Sequence, residues 1–86
     1  MIAKLTNREY NILMIISNEA KMDWFNIETD NKGNDYIMDY EENKKLDLKT
    51  GILMLDSGLT DLADYKLTDE QVKIYKNLIK QLKGEN

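Results

Sequence analysis

The sequence predicts an α+β domain in which a two-stranded antiparallel hairpin packs against three helices, in the order helix, strand, strand, helix, helix. Three observations carry this reading. Two stretches open with the same helix-start grammar, Leu5-Thr6-Asn7-Arg8-Glu9-Tyr10 and Leu67-Thr68-Asp69-Glu70-Gln71-Val72. Two short aromatic and β-branched runs flank a hexapeptide dense in Asp, Asn and Gly. A third stretch begins at Asp47 and repeats apolar residues at helical spacing.

Each element follows from local chemistry. Thr6 with Glu9 three residues on forms a capping box, in which each side chain satisfies the other residue's free backbone N–H. Leu5 and Tyr10 flank it as a hydrophobic staple. A helix from about Asn7 to Ala20 follows, with Tyr10, Leu13, Ile16 and Ala20 as its main stripe and Met14 beside it. Ile12 and Ile15 fall off that stripe. Trp24–Thr29 and Tyr36–Tyr40 then read as strands. Between them, Asp30-Asn31-Lys32-Gly33-Asn34-Asp35 tolerates left-handed backbone angles and reads as the turn. Alternation places Tyr36, Met38 and Tyr40 on one face, opposite Asp35, Ile37 and Asp39; it likewise sets Phe25 and Ile27 against Trp24, Asn26 and Glu28.

Asp47 is a good N-cap for a helix carrying Leu48, Ile52, Leu55 and Leu59, with Gly58-Leu59 as a Schellman-type stop. Gly51 inside it costs about 1 kcal/mol relative to Ala. Gly51–Leu55 also reads as a strand, and that alternative stays open. Thr68 and Gln71 form the second capping box, with Leu67 and Val72 as the staple. The last helix buries Val72, Tyr75, Leu78, Ile79 and Leu82, shows Lys73, Lys76, Lys80 and Lys83 to solvent, and ends at Gly84.

With 86 residues the chain suits one domain spanning 1–86. Its 42% apolar and 33% charged content fits a folded protein. There is no proline and no low-complexity linker. There is no cysteine, hence no disulfide framework. No apolar run reaches the roughly 18 residues needed to span a bilayer, and the apolar run of Met1-Ile2-Ala3-Lys4-Leu5-Thr6-Asn7-Arg8 is too short and interrupted for a signal peptide to be expected. A cytoplasmic location without membrane attachment is the expectation. The net charge of −4 is unevenly spread: residues 23–45 carry −4, residues 46–65 carry −3 and residues 66–86 carry +2.

The absence of histidine and cysteine removes the commonest general base, the thiol nucleophile and most transition-metal sites. Ser17 and Ser57 lack a nucleophile-elbow context. Asp30–Asp35 faintly resembles a calcium loop, but Lys32 stands where a ligand belongs, and a hairpin turn explains the same residues. The four glycines are scattered, so no phosphate loop exists. No catalytic residue, metal or cofactor is expected. What stands out is the acidic hairpin: Trp24, Tyr36 and Tyr40 among Asp23, Glu28, Asp35, Asp39, Glu41 and Glu42. Aromatic anchors ringed by charge are the composition of interface hot spots, and carboxylate rows can imitate phosphates. The plain alternative packs the aromatics in the core and leaves the acids solvated.

Lys21-Met22-Asp23-Trp24-Phe25, the acidic hairpin and Leu46-Asp47-Leu48-Lys49 resemble the small accessory proteins of phages and mobile elements of low-GC Firmicutes. The chain shares their Lys-, Asn-, Ile- and Asp-rich composition. That resemblance implies a protein that adjusts host machinery by direct binding, such as an inhibitor of an antiviral, nucleic-acid-binding defence protein (an anti-CRISPR or similar). The leading expectation is therefore a stoichiometric, non-catalytic partner of a host protein, acting through the acidic hairpin. Two alternatives stand beside it. One is a small nucleic-acid-binding regulator using the basic last helix, although the central acidity makes direct nucleic-acid binding unfavourable. The other is a homo-oligomeric structural or small-molecule-sequestering protein. The second apolar side of the first helix, Ile12 and Ile15, leads to the expectation of a homodimer with those residues near the contact.

Overall fold

The computed structural model describes residues 4–84; the Met1–Ala3 segment considered above lies outside them. Helix α1 spans Asn7–Glu19, followed by strands β1 (Phe25–Thr29), β2 (Asp35–Asp39) and β3 (Lys44–Asp47). Helix α2 (Leu48–Ser57), a 3-10 turn (Leu62–Asp64) and helix α3 (Asp69–Leu82) complete the chain. The α+β class holds. The hairpin, however, is a three-stranded antiparallel sheet in the order β1-β2-β3, so the element order gains a strand. Gly51–Leu55 is helical.

Both capping boxes form as the spacing requires. The Glu9 N–H donates to Thr6 Oγ1 at 3.1 Å and the Thr6 N–H to Glu9 Oε1 at 2.9 Å; the Gln71 and Thr68 pair repeats both distances. Asp47 caps α2 and ends β3 in the same residue, accepting from the Thr50 N–H. The exit of α1 needed no glycine. The Lys21 N–H donates to the Asn18 carbonyl and the Met22 N–H to the Ser17 carbonyl, a Schellman motif with Lys21 at φ 57° in the left-handed position. The Schellman stop expected at Gly58 is corrected: Gly58 sits at φ −94°, right-handed, and the chain leaves α2 through three-residue hydrogen bonds. Gly84, at φ 76°, does end α3 in the left-handed position.

The inner face of the sheet is set by register. Ile27, Ile37 and Leu46 lie in one row across the three strands, with Phe25 beside them. Helix α2 lies over this row and also packs on α3, which packs on α1. Gly51 makes the α2–β2 approach possible: a Cβ built there would stand 2.5 Å from the Ile37 Cβ and closer still to its Cγ1. The core joins Leu13 and Ile16 of α1 to Phe25, Ile37, Ile52, Leu55, Tyr75 and Leu78.

Helix α1 is rotated from its expected stripe. Ile12, Leu13, Ile16 and Ser17 are buried, whereas Tyr10 is 42% exposed. Ile12 retains only 2% of its surface and Ile15 is half-buried. The expected contact surface at Ile12 is thus corrected. The arc facing the core is two residues wide per turn, and Ile12 fills it.

Candidate functional site: the open face of the sheet

The helices cover one face of the sheet. On the other, the same register rows bring together side chains from all three strands. Glu28 stands directly opposite Tyr36, and Met38 lies between Asn26 and Lys45. Tyr36 Oη donates to Glu28 Oε1 at 3.0 Å, and Tyr40 Oη donates to Glu28 Oε2. Tyr40 lies four residues beyond Tyr36, so its ring runs back along the face to reach that carboxylate; it remains 58% exposed. The Lys45 Nζ sits 4.3 Å from the centroid of the Tyr36 ring, a cation–π contact across the β2–β3 diagonal. Asn26 Nδ2 donates to the Met38 carbonyl, among other backbone oxygens, and holds the β1 end of the face.

The electrostatics follow from the shared carboxylate. Its hydrogen bonds hold the Tyr36 and Tyr40 hydroxyls above the ordinary phenol value, because losing either proton would set two negative oxygens against each other; desolvation and the Glu28 charge add to this. Both phenols therefore stay donors well into the alkaline range. The Arg8–Glu70 ion pair, 2.9 Å long and mostly exposed, is the only one among the described residues. Glu28 consequently has two phenol donors and no cationic partner.

The expected site divides into two groups. Glu28, Tyr36 and Tyr40 converge on the open face, with the exposed Glu41 and Glu42 in the turn just beyond it and the exposed Asp23 before β1. The other three residues serve the fold. Asp35 points to the inner side, where its carboxylate accepts from the Leu5 N–H at 2.8 Å and the Thr29 hydroxyl at 2.7 Å, tying the start of the chain to the sheet. Asp39 is 5% exposed and accepts from the N–H groups of Glu41 and Glu42 at 3.0 Å each, shaping the turn that Asn43 closes at φ 52°. Trp24 precedes the strand, meets Phe25 edge-on at 5.7 Å between ring centroids, and packs against the core. Asp35, Asp39 and Trp24 thus act as structural anchors of the sheet and its turns.

The calcium-like loop is a turn. Asp30 Oδ1 accepts from the N–H groups of Lys32 and Asn34, and Gly33 takes φ 83°. The Asn34 N–H in particular holds the Asp30 carboxyl below its usual range. Among the described residues no group of three or more acids could hold a metal ion. Alternation in the sequence already set Met38 beside Tyr36 and Tyr40, and Asn26 beside Glu28, without marking either as a site residue; Lys45 was missed because it required the third strand.

Elsewhere, a shallow cavity of about 410 Å³ lies between α2 and α3, with Leu62, Tyr75 and Ile79 beneath and Lys76, Lys80 and Lys83 at the rim. Its most ordered polar feature is internal: Tyr75 Oη donates to Asp56 at 2.6 Å, and burial first, then that bond, pushes the phenol far above its usual value. No helix is long and apolar enough to cross a membrane among the described residues. Comparison with protein-family models, curated proteins and solved structures returned no match, so the site stands on its own geometry.

Proposed function

We propose that the protein is a non-catalytic binding module whose open sheet face engages a basic surface on another protein. One observation carries this reading: a three-stranded sheet whose uncovered side presents two tyrosines hydrogen-bonded to a carboxylate that has no cationic partner among the described residues, with a methionine beside them and Glu41 and Glu42 at the border. Tyrosine and methionine supply large contact area, and an ordered face loses little side-chain freedom on binding. The acidic surround favours a cationic partner and speeds its encounter. With no histidine, no cysteine and no clustered nucleophile, stoichiometric binding is a better account than turnover. The phage-like composition adds a direction: inhibition of a host defence protein by occupying its nucleic-acid-binding groove.

Capture from a low-GC Firmicute lysate tests this when three baits are compared: the wild type, Tyr40→Ala with Glu41→Lys and Glu42→Lys, and Lys76→Ala with Lys80→Ala. A protein retained by the wild type and the α3 variant but lost by the sheet-face variant supports the reading. Loss on the α3 variant alone overturns it in favour of the basic helix.

A further inference from the structure

Glu28 is built as an acceptor whose capacity is only half used. An ionised carboxylate has roughly four lone-pair positions on its two oxygens. Here each oxygen takes one phenol hydrogen, from Tyr36 and from Tyr40, and no lysine or arginine among the described residues pairs with it. The two donors also fix the carboxylate's orientation, since the pairing of β1 with β2 sets Glu28 directly opposite Tyr36. Beside it the Tyr36 ring already holds a cation, the Lys45 ammonium at 4.3 Å. Lys45 reaches the ring and leaves the carboxylate unpaired. An oriented carboxylate next to an aromatic face is the arrangement a planar guanidinium satisfies best, stacking on the ring while its N–H fork meets the two oxygens.

We infer that the Glu28–Tyr36–Tyr40 cluster is a receptor for an arginine side chain presented by a protein partner, and that Lys45 occupies the Tyr36 ring until that arginine displaces it. The inference rests on the open sheet face being the binding surface. It goes further by naming the group recognised, the residue that recognises it and the residue that competes. Charge complementarity selects the occupant: Glu28 lies on the face with Glu41 and Glu42 exposed just beyond it, and among the described residues the cation held there is Lys45 itself. A lysine partner would gain the charge attraction but not the bidentate, stacked geometry.

The test is an NMR titration of the full chain with two short peptides identical except for a central Arg or Lys, each flanked by uncharged residues. Three variants are compared with the wild type: Glu28→Gln, Lys45→Gln and Glu41→Gln. The Arg peptide is expected to bind more tightly than the Lys peptide and to shift Glu28, Tyr36 and Tyr40 resonances. Glu28→Gln should weaken it about tenfold, as loss of a charge-assisted bidentate pair does. Glu41→Gln should weaken it about twofold, as loss of one solvated charge does. Lys45→Gln should tighten it by about two- to fivefold, the reverse of a lost cation–π contact. Equal effects of Glu28→Gln and Glu41→Gln would overturn the arginine site, and weaker binding in Lys45→Gln would overturn the competition. If Glu28→Gln leaves capture of a lysate partner intact while Glu41→Lys with Glu42→Lys abolishes it, the arginine site fails and the wider reading survives. If neither variant affects capture, both fail.

Discussion

Replacing Gly51 by alanine separates the packing account of α2 from simple helix propensity. In an ordinary helix interior, Gly→Ala stabilises by about 1 kcal/mol. Here the added methyl would lie 2.5 Å from the Ile37 Cβ, whereas ordinary contacts of this kind begin near 3.4 Å. The obstructing atoms are the branch point of a fully buried side chain on the central strand, so no rotamer change clears them. Relief requires α2 to move off the sheet by roughly 1 Å, which opens gaps along the row of Ile27, Ile37 and Leu46. Overpacking of this kind costs about 1–3 kcal/mol, and the fixed position of the Ile37 Cβ places it at the upper end. After the propensity gain, the net expectation is a loss of about 2 kcal/mol. For a domain of this size that lowers Tm by about 8–16 °C. Urea unfolding followed by circular dichroism measures it directly. A double-mutant cycle with Ile37→Ala should show the two losses adding to less than their sum, since removing Cγ1 and Cγ2 relieves part of the clash. A Gly51→Ala protein more stable than the wild type would refute the close α2–β2 contact.

Four further outcomes follow from particular contacts. Thr6→Ala and Thr68→Ala should each cost about 0.5–2 kcal/mol and add independently, because the boxes cap different helices; unchanged Tm in both would contradict the capping geometry. Lys21→Gly should stabilise by up to about 1 kcal/mol by relieving a left-handed lysine, read as a higher urea midpoint. Tyr75→Phe should destabilise by about 1 kcal/mol through loss of the bond to Asp56, whose half-exposed carboxylate regains water. The Thr50 side chain, first among several contacts, holds the Asp47 carboxyl below its ordinary value near 3.9, so the stability it contributes is present above that pH and is lost as pH falls through the lowered folded value. Asp47→Asn, itself a competent cap, should flatten the fall in Tm below about pH 4 and change little at pH 7.

What the sequence showed and what it hid have physical causes. Both capping boxes and the α3 stripe were legible because they depend on residues three or four apart. The third strand was not. Lys44-Lys45-Leu46-Asp47 has one apolar residue and two lysines, which is how an edge strand guards itself and not how a buried strand looks. Missing β3 also hid Lys45, and with it the cation on Tyr36. The rotation of α1 was hidden because Ile12 and Tyr10 compete as apolar residues, and only the packing of α3 decides between them. Asp35 could not be recognised as an anchor, since its partner Leu5 lies 30 residues away. Asp39 could have been: an aspartate just before a turn commonly accepts the next free N–H groups. Gly51 was read only as a cost to the helix, while its use lies in the sheet beneath it.

The central claim is that the open sheet face is the working surface, and hydroxyl-radical footprinting of the complex with the captured partner tests it most directly. The face carries reactive reporters in Tyr36, Met38 and Tyr40, while Tyr10 and Met54, 42% and 43% exposed, are internal references on α1 and α2. The account predicts that complex formation suppresses labelling of Tyr36, Met38 and Tyr40 and leaves Tyr10 and Met54 at their free-protein rates. Unchanged labelling of Tyr40 in the complex, with protection at Tyr10 or Met54 instead, would contradict it.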